Sequence, residues 1–468
     1  MADKPPGGGT TRDPGALTTA DPGGATTAEP ARDPGAVATA DAGREAGPAT
    51  AETSLLRNGN FQALWTSEAF AALAKETAEV AYPLLILATT GSALYAGAVG
   101  SAQLITASVM SIPGGTLADR VDRRMLLIVC NVARVLLLGL FALLISTGNV
   151  NPFVIFGIAI GSAVCLGVST PTGLAVIKQL VPPSQLTQAT AQNQVRYFAA
   201  TMGGPPAGGS LFVVARAFPF LSAAVAFLIS TVLLLFIRKP LTVERAAPGE
   251  KRNAAQGFRF LARQPVLRLL IVWIMGSNMA FTHTGVFLAL IATAESRGAS
   301  PAFTGMLLSI AGVGGLVGSL LAGPIIKRVR PPVLFLAAAW IGPVAAVLLA
   351  NVSGLIPLGI IVACVFLRGP VTSALFLAYL AAMAPDKMQG RVLGAVMFMS
   401  MVAAPVGVFG IGALFDLAGP TWVFTAMAIA SGLAALPTLS PLIRKLAPPE
   451  EYADTTATPA AEPTHRET

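Results

Sequence analysis

Twelve apolar runs, cut apart by Gly, Pro and charge, constrain this chain more than any other feature of it. They lie at 61–89, 93–114, 124–147, 151–177, 188–214, 217–237, 266–293, 302–325, 332–350, 354–382, 391–415 and 420–442. A segment inside a bilayer must satisfy its own backbone amides, so each run reads as a helix. About 20 residues cross the hydrocarbon core, which fits this spacing and excludes a protein held by one anchor. Only 12% of the 468 residues are charged, against roughly 25% in an average soluble domain. The chain lacks the polar surface to cover a water-soluble fold of this size. An all-α membrane protein with twelve transmembrane helices is expected.

The formal net charge of +8 is a cancellation. Residues 1–52 and 450–468 hold 5 of the 31 Lys and Arg and 13 of the 23 Asp and Glu, so the residues between them carry +16. Residues 1–52 repeat a Pro-Gly-Thr-Ala phrase, with Arg12-Asp13-Pro14-Gly15-Ala16 returning as Arg32-Asp33-Pro34-Gly35-Ala36 and no aromatic residue. Such a segment buries too little apolar surface to offset its ordering entropy and is predicted to be a disordered tail. It has no apolar h-region, so a cleaved signal peptide is not expected. Residues 447–468 read as a second disordered tail.

Twelve spans place both termini on one side. Loops on that side carry 20 basic residues, whereas the other side has only Arg216 and Arg297. Basic residues mark the cytoplasmic face, so both termini are expected in the cytoplasm of a cell-membrane protein. The basic charge therefore reports topology and implies no nucleic-acid partner. The longest connection, 238–265, is basic and partly amphipathic through Phe258, Phe260 and Leu261. It is predicted to lie on the membrane surface between two six-helix bundles, 53–237 and 266–446. Cys130, Cys165 and Cys364 fall far apart inside apolar runs and read as packing residues, with no disulfide framework or metal cluster suggested. With His283 and His465 the only histidines, no metal-binding spacing appears. No Walker-type P-loop is present either, so neither a cofactor nor ATP as the drive is expected.

The two bundles echo each other. Gly115-Thr116-Leu117-Ala118-Asp119-Arg120-Val121-Asp122-Arg123-Arg124 after span two is answered by Gly323-Pro324-Ile325-Ile326-Lys327-Arg328-Val329-Arg330 after span eight. Gly204-Pro205 in span five is answered by Ala404-Pro405 in span eleven. Repeated halves in the same order are a transporter device. On these residues the chain resembles the major facilitator superfamily from Leu55 to Leu446, which implies twelve transmembrane helices in two six-helix pseudo-symmetric halves. The loop after span two is similar to the family pattern G-x-L-A-D-R-x-G-R-R, with Asp122 in place of the second Gly. The resemblance implies a conformational latch at Gly115, Asp119, Arg120 and Arg124, with Arg120 and Arg124 as partners of Asp119. Gly204-Pro205-Pro206-Ala207-Gly208-Gly209 resembles the G-P-x-x-G-G signature of drug:proton antiporters, carried here by Gly204, Pro205, Gly208 and Gly209. Two features depart from the family. Residues 151–177 contain no charge where many members carry an Arg, and Lys327 stands where the second-half counterpart of Asp119 would be.

Ionisable side chains deep in a span are costly and are functional candidates by default. Span one concentrates Glu68, Lys75, Glu76 and Glu79. At about 100° per residue, Glu68, Lys75 and Glu79 share one stripe and Glu76 sits about 80° from Glu68. Lys75 and Glu79, four apart, can pair along the helix. That leaves Glu68 and Glu76 as candidates for the coupling proton, with the choice between them open. Arg134 and Arg196 are read as partners of these acids, Arg196 also as a cavity residue. Arg368 precedes Gly369-Pro370 and is placed to meet an anionic group of a substrate. His283 lies near Asn278, Thr282 and Thr284 and is either satisfied by them or titrating. Asn278, Ser169 and Thr170 are cavity candidates, and Tyr197, Phe198, Phe281 and Phe287 either form an aromatic pocket or simply pack.

The expected function is export of a small amphipathic molecule by proton antiport and alternating access. A small-molecule substrate, protons and the lipid bilayer are the expected partners of a monomeric chain. Two rivals stay open: a proton-coupled importer of an organic anion, and a transport-inactive receptor or scaffold.

Overall fold

The computed structural model describes residues 55–239, 241, 254–385 and 388–452. The expected N-terminal tail, most of the C-terminal one, and much of the basic linker lie outside the described residues. Sixteen α-helices and no strand occur among those described. In chain order they are α1 Gly59–Thr90, α2 Ala93–Ala118, α3 Arg123–Ser146, α4 Pro152–Leu180, α5 Leu186–Val214, α6 Phe218–Leu235, α7 Ala254–Arg263, α8 Pro265–Phe281, α9 His283–Ser296, α10 Pro301–Arg328, α11 Pro331–Asn351, α12 Leu355–Met383, α13 Gln389–Val402, α14 Ala404–Ala418, α15 Pro420–Ala435 and α16 Pro441–Arg444.

The boundaries follow local chemistry. Asn58, Ser92, Asp122, Asn151 and Ser300 each accept a backbone N–H of the first turn they precede, the usual work of an N-cap. Gly91, at φ 66°, ends α1 in the left-handed conformation that turns the chain into α2. Two expected spans are interrupted. Thr282 is extended (φ −62°, ψ 146°) and separates α8 from α9. Span eleven breaks at Ala403, just before Pro405, which lacks the N–H that would continue the ladder.

Counting α8 with α9 and α13 with α14, ten spans are long and apolar enough to cross a membrane. The other two long helices, α1 and α5, are more polar and pack against each other. Of this pair, α1 carries the lysine and acids of the site, and α5 packs directly on it.

The halves meet along two seams, α2 with α14 and α5 with α10. Both rest on backbone contact that only glycine permits. A Cβ on Gly97 would stand 2.8 Å from the carbonyl of Val408, and one on Gly412 2.3 Å from that of Ala93. On the other seam, Gly209 would meet the Pro301 carbonyl at 2.2 Å and Gly305 that of Pro205 at 2.3 Å. These contacts lie toward the end of the bundle opposite the chain termini, here called the far end. The linker helix α7 docks on α13, where Gly257 lies against the Arg391 carbonyl and Arg391 donates to Gln256 at 2.6 Å. Residues at the start of the second tail also pack, since the Tyr379 hydroxyl donates to Ala447 O at 2.6 Å.

Candidate functional site

Span one supplies three of the four groups at the centre of the molecule. Lys75 Nζ donates to Glu76 Oε1 at 2.9 Å and to Glu79 Oε2 at 2.8 Å. The expected pair with Glu79 is therefore a triad, and Glu76, whose side chain is only 2% exposed, belongs to it. The fourth group comes from the other half. His283 begins α9, just after the Thr282 break, and turns Nδ1 to Glu79 Oε1 at 3.3 Å and Nε2 to Glu76 Oε2 at 3.5 Å. Thr284 donates to the same Glu79 oxygen at 2.7 Å. Phe287 and Phe366 pack on the imidazole, with centroids at 4.0 and 5.8 Å. They shield it in a low-dielectric setting where its charge interactions are strong.

The glycine signature of α5 positions this cluster. A Cβ on Gly204 would stand 2.4 Å from Glu76 Cβ, and one on Gly208 2.7 Å from the Thr77 carbonyl. Gly209 faces the other way, onto α10 of the second half. The signature therefore presses α1 and α10 onto opposite faces of one helix. A cavity lined by Glu79, Tyr82, Gln103, Thr284, Phe287 and Val408 continues from the cluster between α1, α2, α9 and α14.

The other expected residues divide by location. Glu68 is bound within the first half by Arg196, at 3.7 Å. Arg134 donates to Ser169 at 3.2 Å and lies over the Phe227 ring at 4.9 Å. Thr170 is exposed and its hydroxyl bonds back to Leu166 O at 2.9 Å. Tyr197 is 39% exposed, whereas Phe198 is buried against Gly315. Asn278 does not reach His283. It ties α8 to α13 by donating to Ser400 O at 2.8 Å. Arg368 is directed into the second half, where it donates to Ala338 O at 3.1 Å and Ser277 Oγ at 2.9 Å beside the face of Phe281. A substrate anion would have to take it from those partners.

At the proposed latch, Asp119 is paired with Arg123 at 3.4 Å. The expected partner Arg124 instead donates to the carbonyls of Leu234 and Leu235 at the end of α6. An arginine at that position reaches the open carbonyls of a helix end more directly than an acid one loop away. Arg120 is exposed in the turn that follows α2, and nothing within 4 Å opposes a Cβ on Gly115. Of the cysteines, Cys130 and Cys165 are buried as expected, but Cys364 is exposed.

Sequence reasoning missed the cross-half contact itself. The signal was a lone histidine in an apolar span beside helix-weakening threonines, but nothing in one sequence says which acid it faces. It also passed over Asp416, at the far end of α14.

Glu76, Glu79 and His283 offer ligand atoms within 4.8 Å of one another. They fit a metal poorly. The Lys75 ammonium already lies against both carboxylates, and the imidazole gives a different nitrogen to each acid, where a shared metal would need one.

The sequence profile of the Major Facilitator Superfamily matches residues 64–376 and 274–465. The multidrug efflux pump Tap of Mycolicibacterium fortuitum is 23% identical over 373 residues, 75% of this chain and 88% of that protein. The enterobactin exporter EntS of Shigella flexneri is 26% identical over 348 residues, 72% of this chain and 80% of that protein. Among solved structures, the nucleoside transporter NupG superposes with a TM-score of 0.63 at 13% identity, covering 83% of this chain and 100% of that one. The twelve-span, two-half fold and these matches agree, and the chain is a multi-pass membrane transporter of the Major Facilitator Superfamily.

Proposed function

We propose that the chain exports a small amphipathic molecule by proton antiport and alternating access, with both termini cytoplasmic and the proton held between His283 and the glutamates of α1. One observation carries this reading: each ring nitrogen of His283 faces a carboxylate across the boundary between halves. A neutral imidazole has one N–H and one lone pair. In either tautomer, one lone pair then faces a carboxylate oxygen. An imidazolium donates to both. The formal charges agree, since Lys75 with two glutamates leaves one net negative charge that a proton on His283 cancels. Glu76 Oε2 and His283 Nε2 are both buried without another partner, and one proton joins them.

The cycle follows from where the cluster sits. With the proton present, α1 and α9 are tied and the far end is closed. Loss of the proton to the cytoplasmic side turns the tie into a repulsion between lone pairs, which favours separation at the far end. Substrate then leaves, and a proton entering from that side re-forms the tie. Of the two acids left open by the sequence, Glu76 fits this role. Glu68 is held by Arg196 within one half, so its charge does not depend on how the halves are arranged. The names of Tap and EntS support the outward direction, and the basic loops support cytoplasmic termini.

The test is ethidium uptake into inverted membrane vesicles holding an acid interior. Uptake is expected to require the chain, and a protonophore or His283→Asn is expected to abolish it. A rate that is unchanged when the gradient is collapsed overturns the reading.

A further inference from the structure

The far end of the molecule is fastened by a side chain that no sequence motif marks. Asp416, near the end of α14 in the second half, reaches the first turn of α2 in the first. Its Oδ1 accepts the Ala93 N–H at 2.8 Å, and its Oδ2 accepts the Leu94 N–H at 3.0 Å and the Ser92 hydroxyl at 2.7 Å. These are donors that a helix start leaves open, and a carboxylate there also meets the positive end of the helix dipole. No basic side chain pairs with Asp416 among the described residues, so its charge is answered by α2 alone.

The contact lies at the rim of the α2–α14 seam between halves. One turn inward, Gly97 and Gly412 bring the two backbones together, and Ser101 donates to Pro405 O at 2.7 Å. The glycine packing is apolar and gains from any close approach. The carboxylate differs, because its three bonds need both helix ends in register and are lost together when the ends part. We propose that Asp416 is a positioning residue for transport, the latch that holds the far end closed and must release α2 for that end to open. The latch after span two, expected from the family pattern, sits at the opposite end of the same helix. If both operate, α2 is held at one end in each state.

This inference rests on the alternating access proposed above but on neither the direction of transport nor the coupling proton. It is tested on the full chain in lipid nanodiscs. Spin labels are placed at Ala88→Cys and Thr421→Cys, both exposed at the far end, with Cys130, Cys165 and Cys364 replaced by Ala. Pulsed electron resonance then gives the distribution of distances across that end. D416N keeps the shape but exchanges one acceptor oxygen for a donor. It is expected to raise the longer-distance fraction about fivefold, near the upper range for an exposed charge at a helix start. Ser92→Ala removes one of the three donors, should raise it less, and carries the test if D416N does not fold. Two distances in an unchanged ratio in the variants overturn the latch and leave alternating access standing. A single distance in every protein, with and without ethidium, overturns both.

Discussion

Two half-buried cations of the spans are handled in opposite ways. Lys75 in the first half is met by two carboxylates and, through them, by a histidine of the second half. Arg368 in the second half has no acidic partner among the described residues and is held by a carbonyl, a hydroxyl and an aromatic face, all from its own half. The first meets its cation with opposite charge, whereas the second leaves the buried Arg368 Nε without a hydrogen-bond partner. Only the first makes the state of charge depend on how the halves are placed, because moving α9 away from α1 takes His283 from both glutamates at once and leaves them with Lys75 alone. A symmetric scaffold therefore carries asymmetric chemistry, and the proposed mechanism confines coupling to the boundary. The Arg368 site is expected to stay the same throughout the cycle.

The comparison is broken most severely by removing the acids. Replacing Glu76 and Glu79 together with Gln leaves Lys75 without a counter-charge. Stranding one member of a buried ion pair costs roughly 3–5 kcal/mol. Here about 2 kcal/mol is expected, because the Lys75 side chain is 35% exposed and partly screened. Adding Lys75→Met should recover that loss in thermal unfolding, since it removes the stranded charge. Proton-driven transport should stay at background in both the double and the triple variant. Recovery of transport along with stability would show that the cluster serves packing alone.

A sharper cut separates the cluster from its support. In Gly204→Ala the new methyl would stand 2.4 Å from Glu76 Cβ and 3.0 Å from its backbone carbon, so α1 and α5 must part. Overpacking of this kind costs about 1–3 kcal/mol, and transport should fall at least tenfold as Glu76 shifts from His283. Gly394→Ala in the second half, with nothing within 4 Å, is the control and should behave as wild type. Thermal unfolding and vesicle transport of the pair give the answer. Equal tolerance at both positions would mean that the signature glycines do not position the acid.

This part of the site was partly legible in sequence, and it is clear where legibility stopped. Helix existence came from apolar length, and the α1 stripe came from helical period, because both depend on neighbours along the chain. The pairing of Lys75 with Glu79 was readable for the same reason. The contact of His283 with Glu76 joins residues more than 200 positions apart, and the three bonds of Asp416 join residues more than 300 apart. Those depend on how two bundles pack, which periodicity does not encode. Gly204 shows the middle case: its motif was visible, but its target was not. Arg124 shows how a sequence pattern can misdirect, since the carbonyls at the end of α6 hold its guanidinium in place of the acid across the loop.

The smallest effect is expected at the other cation. Arg368→Met removes two hydrogen bonds, worth about 1 kcal/mol each when net of solvation, and leaves the Ser277 hydroxyl and the Ala338 carbonyl to find other partners. It also removes a charge that no acid offsets, and an apolar side chain of similar length often replaces a buried ion at little or no cost. The two contributions oppose, so unfolding stability should change by less than about 1 kcal/mol, and proton-driven transport should remain within about twofold of wild type. A large loss of transport with stability intact would mean that substrate draws the guanidinium away from Ser277 and Ala338 during the cycle. Arg368 would then change partners during the cycle, as His283 does in the proposed one, and the contrast between the halves would fall.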